Sequence, residues 1–165
     1  MSNPILTIKI EKGDEIKVEL FADRAPFSVE FFLSYVNMGY YDGLPFHAIL
    51  DGEYIQCGYH GHTGYGAPPF TYEETDEKVK PQDEMIPCAP QMFAFIESKY
   101  PYLAKMQIAI LFTDKAIFSE GHEVVFKPIG RVISGYEYAQ RIAKSPVDPD
   151  FAPISPVIVE HIIVE

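Results

Sequence analysis

The sequence predicts a mainly β fold in which an antiparallel β-barrel or sandwich of about eight strands is capped by two α-helices. Three observations support this prediction. Short segments rich in β-branched and aromatic residues alternate with turn signals, two stretches show helical spacing, one early and one late, and the composition includes 12 phenylalanines, 11 tyrosines and 14 prolines. A length of 165 residues corresponds to one domain, which we assign to residues 1–165.

Two alternating segments near the start of the chain predict a β-hairpin. Residues 5–10 and 16–21 are rich in apolar residues, with charged or hydroxyl side chains at alternate positions. Gly13 lies in the connection between them, where a hairpin turn needs a residue at positive φ.

A helix is predicted to follow the hairpin. Pro26 suits its first turn, because a proline there loses no hydrogen bond. Apolar side chains recur at spacings of three and four between Phe27 and Met38, which predicts an amphipathic helix that faces the core and ends at Gly39. A second helix is predicted over residues 134–143.

The remaining segments predict further strands and loops. Glycine, proline and aspartate between apolar runs mark the turns, and the acidic run at residues 73–77 predicts a solvated loop. The predicted strands are two within residues 40–59, then 92–96, 106–112, 123–126, 129–133 and 154–164, and the longer connections are residues 60–69 and 98–105.

The acidic balance of the chain opposes several function classes. With 13 Lys and Arg residues against 24 Asp and Glu residues, the formal net charge is -11 at pH 7. Nucleic acid and anionic membranes both need clustered cations, so neither is expected as a partner. No segment has the pattern of a signal peptide or the length of a membrane span. Two cysteines, Cys57 and Cys88, fit a reducing compartment, so we expect a cytoplasmic protein.

Neither a metal site nor a cofactor is expected. Cys57, His60 and His62 have a spacing that metal ligands can adopt, but no fourth ligand is evident. No nucleophile elbow, phosphate-binding loop or dinucleotide-binding glycine pattern is present either.

Four motifs resemble those of the cyclophilins, the cyclophilin-type peptidyl-prolyl cis-trans isomerases. The resemblance extends from about residue 5 to residue 164, and it implies a closed eight-stranded antiparallel β-barrel capped by two α-helices. In this chain the motifs are LFADRAP at residues 20–26, GYYDGLPFH at 39–47, IQCG at 55–58, and GHEVVF at 121–126 with GRVISG at 130–135. The last of these is similar to the family's G-x-H-V-V-F-G-x-V-x-x-G.

The resemblance implies a site that has lost some of its catalytic groups. Family members carry an arginine directly after the Phe-His pair, and this chain has Ala48 there. Gln56 matches the family's glutamine, and Gln107 matches the glutamine of the family's G-S-Q-F-F motif. Ala109 stands where the family has the phenylalanine that forms the floor of the proline pocket.

The resemblance also implies the other peptide-binding positions. Tyr54 follows Glu53 where the family has a Phe-Met pair, and Ile96 falls on the strand that holds the peptide backbone. Phe118 replaces the aromatic residue before the family's Gly-x-His turn, and Glu123 replaces the family's histidine.

These replacements predict binding with weak or no catalysis. A fixed guanidinium stabilises the twisted amide of the transition state, and Ala48 has no donor. We therefore expect a protein that binds proline-containing or extended peptide segments, isomerises X–Pro bonds weakly or not at all, and binds cyclosporin weakly or not at all. Two alternatives stay open: an active isomerase that uses a substitute cation such as Lys105, and a non-catalytic protein-interaction or structural scaffold.

Overall fold

The computed structural model describes residues 2–58, 83–98, 107–114 and 124–165. In this part of the chain it contains eight strands and two helices, which confirms the predicted mainly β class. The strands are β1 (Ile5–Ile10), β2 (Glu15–Leu20), β3 (Phe46–Leu50), β4 (Tyr54–Cys57), β5 (Met92–Ser98), β6 (Ile108–Leu111), β7 (Val124–Ser134) and β8 (Val159–Val164). The helices are α1 (Pro26–Asn37) and α2 (Tyr136–Ala143).

The strands form one curled antiparallel sheet in the order β3-β4-β6-β5-β7-β2-β1-β8. Its two ends approach each other just before β3 and β8. The Phe46 N–H donates to the Val157 carbonyl at 2.9 Å, and the Val159 N–H donates to the Leu44 carbonyl at 2.8 Å. Among the described residues no ladder joins β3 to β8, so the sheet is a curled half-barrel with two helices, and the predicted closed barrel is not confirmed.

The predicted hairpin at the start of the chain is confirmed. Leu6 and Val18 are opposite each other in the register of β1 and β2, and both side chains are fully buried. The turn places Lys12 as well as Gly13 at positive φ, at 78° and 100°. The Gly13 N–H donates to the Ile10 carbonyl at 3.1 Å, so Lys12 is the third residue of this turn, a position at which a positive φ is usually taken by glycine.

Strand β7 differs from the elements that the sequence predicts. The pattern predicts two strands, 123–126 and 129–133, whereas the structure has one long strand that pairs first with β5 and then with β2. The register with β5 shifts between Phe93 and Ala94, and Pro128 in β7 has no N–H to donate. The extra residue at this bulge interrupts the alternation of apolar side chains, which is why the pattern divides the strand.

Helix α1 covers the core with aromatic rings. Pro26 is its first residue, and Gly39, at φ 73°, follows its end, both as predicted. The Phe32 ring is fully buried and packs edge-on against Phe93 of β5, with ring centroids 5.3 Å apart. Within the described residues, no helix has both the length and the apolar character of a membrane span.

The carboxylate of Asp83 caps helix α1 from a distant part of the sequence. Ala25, at the N-cap position, provides no side-chain hydrogen bond. Instead, the N–H groups of Phe27 and Ser28 donate to Asp83 at 2.9 and 3.1 Å, and the Ser28 hydroxyl donates at 2.6 Å. Lys127 of β7 also donates, at 2.9 Å, and the Asp83 side chain is only 2% exposed. Asp83 therefore joins the N-terminus of α1 to β7.

These contacts lower the pKa of Asp83. Burial by itself would raise the pKa, because it disfavours the charged carboxylate, but the hydrogen bonds from Ser28, Lys127 and the Phe27 N–H, with the Lys127 charge, outweigh it. A carboxyl group with a lowered folded-state pKa stabilises the fold above its ordinary pKa of 3.8. That contribution is lost as the pH falls through the folded-state pKa.

We predict that Asp83→Asn lowers the free energy of unfolding by about 2 kcal/mol at pH 7, because it weakens the helix cap and removes one charge of a buried pair. Chemical denaturation followed by circular dichroism measures this difference. The difference from wild type should begin to shrink below about pH 4, where the Asp83 carboxyl group of the unfolded wild type takes up a proton, and should vanish as the pH falls through the lower folded-state pKa. Glu30→Gln, an exposed substitution on the same helix, is the matched control. Equal losses in the two variants would contradict the capping role.

Candidate functional site

The predicted site residues that the structure describes lie on the exterior face of the sheet. Ala48 of β3 pairs with Gln56 of β4, and Gln56 pairs in turn with Ala109 of β6. Ala109 pairs with Ala94 of β5, which pairs with Pro128 of β7. The residues on either side of this row in β4 and β6 belong to the main core, so the row itself faces away from the core. We call these five residues the site row.

A network of three side chains orients the Gln56 amide. The Oε1 atom of Gln107 accepts hydrogen bonds from Gln56 Nε2 and from His47 Nε2, the latter at 3.1 Å. Since an amide oxygen can only accept, His47 carries a proton on Nε2. Gln56 uses an N–H on Gln107, and within the described part of the chain no group donates to its Oε1 atom. The contact with Gln107 uses the Nε2 group of Gln56 and leaves its Oε1 atom out.

The position opposite Gln56 carries a methyl group. Ala48 is the cross-strand partner of Gln56, and its side chain has no hydrogen-bonding atom. The register of β3 and β4 shifts between Phe46 and Ala48, which makes His47 the bulge residue and leaves its ring beside Gln107. Neither β3 nor β4 contains an arginine or a lysine.

A second hydrophobic cluster lies beside the site row on the exterior face, separate from the main core. Its side chains come from β4, β5, β6 and β7 and from the segment before β5, and it includes Ile96, which the sequence analysis places at the peptide-binding strand. The buried members are Ala94, Ile96, Ala109, Leu111 and Phe126, and the partly buried members are Tyr54, Cys88 and Met92. We call this set the outer cluster.

Two aromatic rings of the outer cluster meet across two intervening strands. The ring centroids of Tyr54 on β4 and Phe126 on β7 are 5.0 Å apart, with ring planes at 58°. In the sheet register, Tyr54 lies on one side of the site row and Phe126 on the other. The line between them therefore crosses the sheet between Ala94 and Ala109. Because these two positions carry only methyl groups, the rings can reach each other there.

The structure places Phe126 at this face, which the sequence motif alone does not predict. The family motif has phenylalanine directly before glycine, whereas here Ile129 directly precedes Gly130. Ile129 is fully buried in the main core. The sequence does contain a signal for this difference. Three residues separate Phe126 from Gly130, so Ile129, and not Phe126, takes the core position directly before the glycine.

The Tyr54 side chain stays neutral in its surroundings. Burial raises the pKa of Tyr54, and the neighbouring Glu53 carboxylate raises it further. At neutral pH the residue therefore presents an apolar ring and a hydroxyl donor rather than a charge.

The two cysteines are free thiols in different surroundings. Cys57 lies in the main core, where burial raises its pKa to about 12. The Cys88 thiol donates to the Phe126 carbonyl at 3.7 Å, and burial raises its pKa as well. Both remain protonated at neutral pH, so neither is activated as a nucleophile or ligand. Within the described ranges, no group of three side chains could hold a metal ion.

Several predicted positions lie outside the described residues. They are Phe118 and Glu123 of the peptide-binding set, Lys105 as a substitute cation, and His60 and His62 of the metal-ligand spacing. These positions stay predictions.

The fold and the site define a class: a mainly β protein with two helices and, on the outer face of its sheet, an amide network beside an apolar aromatic cluster. A cyclophilin type peptidyl-prolyl cis-trans isomerase from Cryptosporidium parvum has this fold, with a TM-score of 0.72 and 22% identity over 99% of this chain and 98% of its own. The same protein solved in the presence of the dipeptide Ala-Pro also has a TM-score of 0.72, with 21% identity over 98% of both chains.

Sequence comparisons find relatives with the same family description. The Arabidopsis thaliana peptidyl-prolyl cis-trans isomerase CYP18-1 is 28% identical over 159 residues, 96% of this chain and 94% of its own. The Bacillus subtilis peptidyl-prolyl cis-trans isomerase B is 40% identical over 62 residues, which are 38% of this chain and span 43% of that relative. The family model described as cyclophilin type peptidyl-prolyl cis-trans isomerase/CLD matches residues 5–164. The chain belongs to the cyclophilin-type peptidyl-prolyl cis-trans isomerase family.

We predict that Gln107→Leu lowers the free energy of unfolding by about 1–2 kcal/mol, because the Gln56 and His47 donors lose their shared acceptor. Gln107→Glu keeps an oxygen at the same reach and should lose less. Chemical denaturation measures the stabilities, and ¹⁵N NMR follows the side-chain amide of Gln56, which should shift and broaden in the leucine variant. A Gln56 signal unchanged by Gln107→Leu would contradict the orienting role of the network.

Proposed function

We propose that this protein binds proline-containing or extended peptide segments on the exterior face that carries the site row, and that it isomerises X–Pro bonds weakly or not at all. The observation that carries this proposal is the pairing of Ala48 with Gln56. A methyl group occupies the position at which the family resemblance implies a guanidinium.

The chemistry of amide rotation explains why this position matters. Rotation about a peptide bond crosses a barrier of about 18–20 kcal/mol, because the twisted amide loses its resonance. The prolyl nitrogen becomes more basic as the amide twists, and a fixed donor stabilises the charge that develops. Loss of one such preorganised donor lowers a rate by about 10²–10³. Gln56 is a poor substitute, because its amide carries no charge and one of its two N–H donors is engaged by Gln107.

Binding of a peptide requires fewer precisely placed groups than catalysis of its isomerisation. The exterior face that carries the site row has groups suited to binding. The partly buried members of the outer cluster, Tyr54, Cys88 and Met92, offer apolar surface on the face that carries the Gln56 amide, and this combination suits a prolyl ring flanked by backbone amides. The Cryptosporidium parvum structure determined in the presence of Ala-Pro supports the same ligand class.

We extend the proposal to the form and location of the chain. A closed barrel is supported by the hydrogen bonds from the Phe46 N–H to the Val157 carbonyl and from the Val159 N–H to the Leu44 carbonyl. One domain over residues 1–165 is supported by the family model that matches residues 5–164. Free thiols agree with a cytoplasmic location.

We predict that Ala48→Arg raises kcat/KM for an Ala-Pro tetrapeptide at least about tenfold over a slow wild type, because it restores a planar cation opposite Gln56. Exchange spectroscopy by NMR measures cis-trans interconversion without a coupling protease. Ala48→Met, which has similar length and no charge, is the matched control and should stay slow.

The outcomes separate the alternatives. A wild type as fast as Ala48→Arg would contradict weak catalysis and would favour a substitute donor, for which Lys105→Met is the next variant. If the wild type neither binds the tetrapeptide nor isomerises it, the binding proposal fails and the scaffold alternative replaces it.

We predict that cyclosporin binds weakly or not at all. The family resemblance implies that drug binding depends on the arginine and the floor phenylalanine, and this chain has Ala48 and Ala109 at those two positions. Isothermal titration calorimetry with purified protein measures the affinity. Saturable binding at submicromolar concentration would contradict this prediction.

A further inference from the structure

We propose that Tyr54 supplies the aromatic floor on which the prolyl ring of a bound segment stacks, in place of the ring that β6 lacks at Ala109. The proposal rests on the peptide-binding function proposed above and deepens it by naming the residue that recognises proline. Tyr54 reaches this position from β4, and Phe126 on β7 holds it there.

The strand register explains how a side chain from β4 can extend over the centre of the exterior face, between β5 and β6. Ala94 and Ala109 are opposite each other on β5 and β6, at the midpoint of the diagonal from Tyr54 to Phe126. The ring centroids are 5.0 Å apart, and the two rings and the two alanines belong to one packed cluster. A large side chain at either alanine would separate them, so the small residues and the ring contact belong to one arrangement.

Burial distinguishes the roles of the two rings. Phe126 is 6% exposed, and Ala94 and Ala109 are 0% and 2% exposed, so none of them presents a surface to a ligand. Tyr54 packs against these residues but is only partly buried. Of the two rings, that of Tyr54 therefore belongs to the residue that keeps exposed surface, and Phe126 packs against it with the ring planes at 58°.

The chemistry of this surface suits proline. An aromatic face accepts the apolar ring of proline without a hydrogen bond, and the tilted contact with Phe126 limits rotation of the Tyr54 ring. Gln56, two residues further along β4, places its amide on the same exterior face. A segment whose prolyl ring lies on Tyr54 therefore has an acceptor, Gln56 Oε1, within the same site for a neighbouring backbone N–H.

The test moves the ring from one strand to the other. Tyr54→Leu should weaken the affinity for an Ala-Pro tetrapeptide about tenfold, the size expected for one aromatic contact, whereas Tyr54→Phe should retain it. Tyr54→Leu combined with Ala109→Phe should restore most of the affinity, because the phenylalanine of β6 then supplies an aromatic ring at the proposed prolyl-binding position. Ala109→Phe alone should not improve binding, because two rings then compete for one space.

Two further measurements separate recognition from folding. Upfield ring-current shifts of the prolyl protons in the bound tetrapeptide should appear with the wild type and with the double variant and disappear with Tyr54→Leu. Tyr138→Leu, on α2, is the matched control and should leave both affinity and shifts unchanged. Circular dichroism confirms that each variant is folded before its affinity is compared.

Each outcome decides the proposal. If the wild type binds the tetrapeptide and Tyr54→Leu binds it equally well or more tightly, Tyr54 is inert or obstructs the face, and this inference fails while the proposed function stands. A folded double variant that stays as weak as Tyr54→Leu would also overturn the inference. A wild type without affinity for the tetrapeptide would overturn the proposed function and this inference together.

Discussion

The register of the antiparallel ladder from β3 to β7 is the constraint on which both the core and the site depend. Successive side chains of a strand face opposite sides, so the pairing of Gln56 with Ala109 also determines that Ile55 and Ile110 face the core. A slip by one residue would place isoleucines on the exterior face and Gln56 in the core. The free energy that holds the core together therefore also positions the site row, and the site needs no separate scaffold.

Strand β7 connects this ladder to the rest of the molecule through two neighbouring residues. Phe126 closes the outer cluster, and Lys127, on the opposite side of the strand, forms the ion pair with the capping residue Asp83. A buried pair of this kind is costly to break from one side, since the remaining charge is left without a partner. The position of helix α1 and the position of the exterior aromatic ring are therefore linked through one short stretch of β7.

Local patterns were sufficient for some of these features and insufficient for others. Hairpin alternation and helical spacing depend on neighbouring residues, so the first hairpin and α1 could be predicted from the sequence. The Gln56 position followed from a motif match. The capping role of Asp83 could not be predicted, because its partners Phe27 and Ser28 are more than fifty residues away in sequence. Phe126 was missed because the bulge at Pro128 breaks the two-residue period that assigns faces.

The proposed function favours binding over catalysis at the exterior face for a physical reason. An aromatic floor and the Gln56 acceptor interact with a prolyl segment to similar extents in its planar and its twisted forms. Interactions of equal strength in the ground state and the transition state improve affinity but leave the barrier unchanged. A donor directed at the prolyl nitrogen is different, because its interaction grows as the amide loses resonance. Ala48 lacks that donor, while Tyr54 and Gln56 keep the uniform contacts of the proposed site. Within one fold, recognition of proline and acceleration of its isomerisation therefore depend on different side chains, and the second can be lost while the first is kept.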